Sequence, residues 1–574
     1  MKKMIAFMLA LCLAVGIVPA CAETASAPKT HTIEKKDVPL YVMEAGNPAS
    51  APLPLYFLDG VKDLPYVELG DLAKIVYGIN ADENTNQGYE LTYKWDGPVA
   101  SLVRENGFSM TVDFEKNIIT FPDYEAFGQR TSDTLISRLN VSKFDENGQA
   151  RLLQINKAES YQRNGEVLEL DLNDYDIPTV WQDGLYLVPL QTLSDFLLSP
   201  SSVFILYNGE NAFLTNADAL SGDDGLTPLG ELYYSVTPVG ERSKELSEYG
   251  YSELCLVLDY MYGLKDSHDI QNTSRLFWQV GYDGLLRGTD ARAADQALSE
   301  YVMYHLDDMH SGYLLNSWMT GKEDIDVEPS QTLIHRAVIR KRYQEASEQY
   351  NLAPYQEIGD TAYITLTEFR IKNATDDYYT KNFDELTPDT ITTVIYAHQR
   401  ITREDSPIRN VVLDLSNSGG GAVDAAAFIL GWFLGDAELS FRNTMTGAIA
   451  TTVFRADVNL DMVYDEKDTV SDKNLYCLIS PVSFSCANML PAAFKESDIV
   501  TLLGRTSGGG ACIVGTLSTA WGSVIQISSP YQMSFTKNGS FYNSEQGVEP
   551  QVFIKDPAHF YEREGLTDFI HKIY

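Results

Sequence analysis

The stretch that most limits what this chain can fold into is residues 475–494. Leu475, Tyr476, Cys477, Leu478, Ile479 and Ser480 form an uncharged run, and Pro481 ends it. Met489, Leu490, Ala493 and Phe494 then recur at the three- and four-residue spacing of a helix that buries one face. A buried strand that hands over to a helix within a few residues commits the chain to layers of sheet and helix. The handover is Ser483-Phe484-Ser485-Cys486-Ala487-Asn488. Ser485 sits where the first helical N–H groups have no intrahelical acceptors. A serine there is either an N-cap or a hydroxyl held rigidly beside free donors, which suits acyl transfer.

The same rhythm surrounds it. Residues 362–366 read as a strand, and residues 390–400 as a helix with Asp389 placed to cap it. Residues 410–415 form a buried strand, followed by Ser418-Gly419-Gly420-Gly421 and a largely apolar helix over 422–434. After the Ser485 unit come a strand at 499–503, a second glycine loop at 508–510, and strands to residue 529. This alternation predicts a mostly parallel sheet with helices against it, an α/β core over residues 321–574. Residues 228–320 read as a helical lead-in, with helices at 251–261 and 292–306. The second ends in Asp307-Asp308-Met309-His310-Ser311-Gly312, with Gly312 read as its stop.

Residues 54–226 read as a small α+β domain with a weak internal repeat. The segments 64–75 and 186–197 each read as a short strand entering an amphipathic helix, and each is followed by hairpin signals. This part resembles the copper amine oxidase N-terminal-like module of secreted bacterial proteins. The resemblance implies a binding or spacer role and no oxidase chemistry. The only nearby histidine, His31, lies in the segment 23–53, a linker rich in Ala, Pro, Ser and Thr.

Residues 1–22 read as a secretory signal peptide: Lys2 and Lys3, an apolar run over 4–18, then Pro19-Ala20-Cys21-Ala22. Cleavage after Ala22 gives a secreted protein. The alternative, a bacterial lipobox, leaves a lipid-modified Cys21 and a cell-surface lipoprotein. No later run is long and apolar enough to span a bilayer. The formal net charge of −37 argues against nucleic-acid and anionic-membrane partners. Cys255, Cys477, Cys486 and Cys512 show no C-x-x-C spacing and read as small buried apolar residues. Cys486 as an alternative nucleophile lacks a sequence-adjacent cation to lower its pKa.

Four stretches in order carry chemistry: Asp308-Met309-His310-Ser311; Asp414-Leu415-Ser416-Asn417-Ser418-Gly419-Gly420-Gly421; Phe484-Ser485-Cys486-Ala487-Asn488; and Gly504-Arg505-Thr506-Ser507-Gly508-Gly509, followed by Glu545-Gln546-Gly547-Val548-Glu549-Pro550. Over residues 228–554 they resemble the C-terminal-processing (tail-specific) serine peptidases and their tricorn-core relatives. The resemblance implies a crotonase/ClpP-like α/β catalytic domain that hydrolyses peptide or protein substrates through an acyl-enzyme, without metal or cofactor. It makes Ser485 the nucleophile and His310 the general base, with oxyanion donors at Gly419 or Gly420 and at the Cys486 N–H. The branch of the family that uses lysine carries it about 25 residues past the serine, where this chain has Gly510. Lys495, on the expected helix, points away. The tricorn-like branch orients its His with a Ser and a Glu. Glu545 stands at the Glu position, but Met309 replaces the helping Ser, so Asp308 or Ser311 is an alternative orienter.

Two further departures are Asn488 for Glu and Gln551 for Asp. No PDZ-like stretch separates His310 from Asp414. The acids over 457–468 are spaced like a calcium loop, but Met462 replaces its glycine and Asp468 its final Glu, so a solvated acidic loop is expected. Asp424 spoils a dinucleotide reading of the glycine loop. The expectation is a secreted serine endopeptidase; the alternative is a catalytically inactive peptide- or envelope-binding protein on the same scaffold.

Overall fold

The computed structural model describes residues 30–42, 52–80, 91–104, 107–128, 152–163, 165–222, 225–323, 325–350, 352–538 and 540–573. The expected signal peptide and Cys21 lie outside the described residues.

The Ser485 region is built on a six-stranded sheet in the order Tyr355–Ile358, Thr361–Thr365, Asn410–Asp414, Asn474–Ile479, Val500–Gly504, Val552–Phe553. The first pair is antiparallel and every other pair is parallel. This is the α/β core the alternation predicts. Its central strands are buried on both faces, which is why they read as unbroken apolar runs. Successive side chains go to opposite sides. Val411, Leu413, Leu475, Cys477 and Ile479 pack with the helices Thr390–Ile401, Val423–Leu434 and Cys486–Ser497. Val412, Tyr476 and Leu478 pack on the other face with Tyr343, Phe560 and Leu566. Asp389 caps the helix Thr390–Ile401, its carboxylate accepting the Thr392 N–H.

A second sheet is antiparallel: Gly312–Leu315, Val524–Ser534, Ala437–Asn443, Ile449–Ala456 and Leu153–Arg163, with Cys512–Ser518 also on Val524–Ser534. Leu153–Arg163 comes from the N-terminal part of the chain, so that part shares a sheet with the core. In the N-terminal region the two repeat segments pair with each other: Tyr66–Glu68 runs antiparallel to Leu185–Pro189, Val67 opposite Val188. Each strand feeds a helix, Leu69–Asn80 and Leu190–Leu197. Ile33–Val38 and Leu40–Val42, within the stretch read as linker, are strands. Ile33–Val38 ends its sheet, and an edge position asks for backbone pairing more than for apolar side chains.

The helical lead-in contains Lys244–Met261 and Ala291–Glu300. The latter runs into a π-helical turn, Tyr301–His305. The left-handed residue beyond it is Asp307 (φ 49°), while Gly312, expected as the helix stop, opens a strand. Aspartate visits that conformation more readily than most residues; here its carboxylate is held by a long-range partner, the Ser330 hydroxyl, which donates to it. Among the described residues, no helix is long and apolar enough to cross a membrane.

Candidate active site

Three neighbouring parallel strands, Asn410–Asp414, Asn474–Ile479 and Val500–Gly504, end side by side, and the loops leaving their C-terminal ends meet at Ser485. Open α/β sheets place their sites at these ends. The Phe484 N–H donates to Ser418 O (3.2 Å), the Ser485 N–H to Gly509 O (3.0 Å), and the Gly508 N–H to Ser483 O (2.7 Å). The Ser483 hydroxyl donates to Leu415 O at 2.7 Å. One loop therefore cannot move without the other two.

Ser485 has φ 58° and ψ −125° and directly precedes the helix Cys486–Ser497. An L-residue rarely adopts that backbone, and its strain persists only where the surroundings enforce it. Gly420 supplies part of the enforcement. A Cβ on it would lie 2.7 Å from Ser485 Cβ, 2.7 Å from Phe484 O and 3.1 Å from Cys486 N. Glycine is thus required at 420 by contact, and again by its φ of +97°. The consequence is a cradle in which the Gly420 backbone and the Cys486 N–H, at the helix start, flank the serine. Of the two expected glycine donors, Gly419 is engaged elsewhere: its N–H donates to Thr367 O at 3.2 Å. The Gly420 carbonyl is held by the Phe369 N–H at 2.8 Å. Beneath the loop, Asp414 accepts from the Ser416 N–H (2.9 Å) and from Arg563 Nη2 (2.6 Å); both charged side chains are almost fully buried.

Asn488 ties the helix Cys486–Ser497 to the remaining loops. Its Nδ2 donates to Ser544 O (3.0 Å), and its Oδ1 accepts from Ser507 Oγ (2.7 Å). Gln551 accepts the Leu502 N–H at 2.8 Å, so both departures from the family pattern have structural partners. Lys495 donates to Glu549 O, on the exposed side of its helix. The position at which a lysine-using relative would carry its base is closed: a Cβ on Gly510 would meet the Phe484 ring at 2.5 Å.

His310 arrives from the other sheet. Its N–H donates to Asp308 Oδ1 (3.0 Å), its carbonyl accepts from Gln526 Nε2 (2.7 Å), and Ser311 Oγ donates to Asp308 Oδ2 (2.8 Å). Asp308 thus holds the turn. The ring bonds through Nδ1 with Ser528 Oγ at 3.4 Å. The imidazole packs on Phe484, the residue before Ser485, with ring centroids 4.6 Å apart. His310 is buried and its Nε2 has no hydrogen-bond partner, so no bond joins it to Ser485. Burial holds its pKa below the usual imidazole value, with Asp308 opposing the shift. Glu545 does not reach the ring either: its Oε2 accepts the Ala511 N–H at 2.7 Å, and its carbonyl accepts the Gly510 N–H at 3.3 Å. Burial raises its pKa.

Cys486 is buried, its thiol pushed up to about 12 mainly by desolvation, which makes it a poor nucleophile. In the acidic loop, Asp457 Oδ2 accepts the Met462 N–H (3.0 Å) and Asp468 Oδ1 accepts the Val458 N–H (2.8 Å), so both carboxylates brace the backbone.

Sequence reasoning missed Ser528. It lies on Val524–Ser534, whose register sets Gly312 opposite Gln526. Continuing that register two residues brings position 310 to 528, a fact only the pairing reveals. It also missed Arg336, on the helix Gln331–Glu348, whose Nη1 donates to Gly508 O at 3.2 Å.

Residues 360–554 match the model of Peptidase family S41. No curated protein matches the sequence. Among solved structures, the photosystem II D1 C-terminal processing protease is 18% identical, covering 36% of this chain and 46% of its own, with a TM-score of 0.26. This chain therefore spans under half of that protein. A lipoprotein from Streptococcus agalactiae is 12% identical (56% and 96% covered, TM-score 0.35). A peptidase-like protein from Parabacteroides merdae is 13% identical (52% and 86% covered, TM-score 0.37).

Proposed function

We propose, from the match of residues 360–554 to Peptidase family S41, that this chain is a secreted serine endopeptidase with Ser485 as nucleophile and His310 as general base. The observation that carries the reading is the forced backbone of Ser485, pinned between two glycine loops at a helix start. A hydroxyl is a weak nucleophile until a base accepts its proton. His310 is the imidazole packed on Phe484, the chain neighbour of Ser485, and burial lowers its pKa and so favours the neutral form a base needs.

In the proposed cycle the Ser485 oxygen attacks the peptide carbonyl while its proton passes to His310. Backbone N–H groups of Gly420 and Cys486 hold the resulting oxyanion. The tetrahedral species collapses to an acyl-enzyme as His310 returns the proton to the leaving amine, and water attacks by the same route to release the acid. The proton transfer requires His310 Nε2 to come within reach of Ser485 as substrate binds, since catalytic hydrogen bonds tighten in the Michaelis complex. Glu545 enters as a positioning residue: its carboxylate fixes the Ala511 N–H and so the loop carrying Gly509 and Gly510. The N-terminal region acts as a spacer or substrate-positioning module outside the cell.

A second reading, an inactive peptide- or envelope-binding protein, draws on the missing His310–Ser485 bond. A fluorophosphonate probe separates the two. The enzyme predicts labelling of the wild type that is lost in Ser485→Ala and falls at least a hundredfold in rate in His310→Ala. A folded, unlabelled wild type establishes the binder.

A further inference from the structure

The helix Gln331–Glu348 is an outlier in this molecule. The chain has 80 acidic and 43 basic residues, yet one part of this helix, residues 335–342, carries Arg336, Arg340, Lys341 and Arg342 with no acid. It is also poorly buried: Tyr343 is its one fully buried residue. With Ile339 and Ala346 partly buried beside it, Tyr343 seats the helix on the sheet face that carries Phe560 and Leu566. The N-terminus is capped by Ser330, whose hydroxyl accepts the Leu333 N–H and donates to Asp307, three residues before His310.

That seating brings the helix against the loops that hold Ser485. Arg336 donates to Gly508 O at 3.2 Å, contacts the Met309 sulfur, and places its guanidinium 6.0 Å from the centre of the Phe484 ring. One turn on, Arg340 Nη2 lies 4.0 Å from where a Cβ on Gly419 would stand, and Gly419 is exposed. Near the far end, Asn417 of the same glycine loop donates to Ser347 Oγ at 3.5 Å. Arg336 and Arg340, four residues apart, share a helix face. Neither has an ion-pair partner among the described residues. Lys341, by contrast, is paired with Glu345 at 3.8 Å. Arg336 nevertheless faces a carboxylate, since its charge lowers the pKa of the partly buried Glu545 against the effect of burial; Arg340, exposed and without an ion pair, is the guanidinium left free to meet an acid beside Ser485 on a protein of net charge −37.

We propose that Arg336 and Arg340 are specificity-determining residues that select peptides carrying acidic side chains close to the bond presented to Ser485. The inference rests on the peptidase reading for what is bound, but its test does not depend on turnover. Guanidinium forks pair bidentately with carboxylates, which amides do not reproduce. Electrostatic complementarity of this kind contributes more to selectivity than to raw affinity. Acidic segments, repelled by the net charge of the chain, would find a favourable site beside Ser485.

The test uses the full chain as Ser485→Ala and fluorescein-labelled random decapeptides with two central Glu residues, against the same set with Gln. Fluorescence anisotropy is expected to show the Glu set binding about tenfold more tightly at low salt, with the preference shrinking severalfold by 0.3 M NaCl. Arg340→Glu should abolish the preference, and Arg340→Lys, which keeps the charge but loses the fork, should keep only part of it. Melting curves check that both variants are folded, and Arg340 is exposed enough to tolerate them. Equal binding of the two sets overturns the proposal, as does a preference that survives Arg340→Glu. Salt-sensitive self-association lost in Arg340→Glu, without peptide discrimination, overturns it in favour of a second copy of this acidic chain. Fluorophosphonate labelling of the wild type reports separately on whether Ser485 is a nucleophile.

Discussion

Ser485 is held by loops that leave three adjacent parallel strands, whereas His310 stands on a turn that belongs to a different, antiparallel sheet. On the first side every loop is bonded to its neighbour, and the 2.7 Å approach of a Gly420 Cβ to Ser485 leaves no slack. On the second side the main chain is fixed through Asp308 and Gln526, but the ring has one long contact, 3.4 Å to Ser528, and an empty Nε2. The proposed nucleophile and its proposed oxyanion donors are thus preorganised, and the proposed base is positioned without being engaged. The comparison teaches where adaptability resides. Strain stored at a nucleophile needs a rigid frame, while a base on a separate sheet can be brought in or held off by what binds between them. Phe484 joins the two halves, since it precedes Ser485 in the chain and stacks on His310 in space.

The sharpest way to break the rigid side is from beneath. Arg563→Met leaves Asp414 charged, buried and without its cation, and one-sided removal of a buried pair costs about 3–5 kcal/mol. Urea unfolding should show a loss of that size; a change under 1 kcal/mol would mean that the Asp414 network does not frame the glycine loop. Next in size is Gly420→Ala. The added methyl meets Ser485 Cβ and Phe484 O at a positive φ, so the cradle must shift. Losing the alignment of an oxyanion donor lowers kcat by about a hundred- to a thousandfold. Peptide hydrolysis, or the rate of fluorophosphonate labelling, should fall by that factor while KM changes little. Retained activity would show that the glycine is dispensable and the rigid side less rigid than its contacts imply.

The difference between the two sides also explains what could be read in the sequence. Everything around Ser485 is local: a buried strand, a turn and a helix leave a periodic signature, and three repeats of that unit define the sheet. The glycines announced themselves because 420 and 510 admit no Cβ. The order of the motifs placed His310 beside Ser485 in expectation, and the rings of His310 and Phe484 meet. Its support was not legible. Ser528 faces His310 only through an antiparallel register between strands more than two hundred residues apart. Glu545 was expected to act on the imidazole, yet its carboxylate is bound to the Ala511 N–H, a backbone partner that carries no side-chain signature. Gly419 and Gly420 were indistinguishable as a sequence pair, and separated only when Thr367 claimed the first N–H. The basic helix of residues 331–348 has little amphipathic pattern, because Tyr343 is the one residue it buries fully and only a few others are partly buried.

The smallest expected effect probes the looser side. Ser528→Ala removes the one hydrogen bond made by the His310 ring but leaves its burial intact. A base that has lost its orienting partner, with everything else in place, should lower kcat roughly tenfold or less, since general-base catalysis as a whole contributes about a hundred- to ten-thousandfold. The pH profile gives the sign. In the proposed role His310 acts as a base only when neutral. Its pKa is held below the ordinary 6.5 because burial penalises the imidazolium, so the acid limb of kcat should have its midpoint below 6.5 and activity should be level through neutrality. Alanine at 528 removes a neighbour able to accept from the protonated ring, without admitting water. The midpoint should therefore stay where it is or move to lower pH, never higher. A limb that rises towards 6.5 in Ser528→Ala would mean that the substitution had opened the pocket, and that the serine's role is to seal the histidine from solvent rather than to orient it.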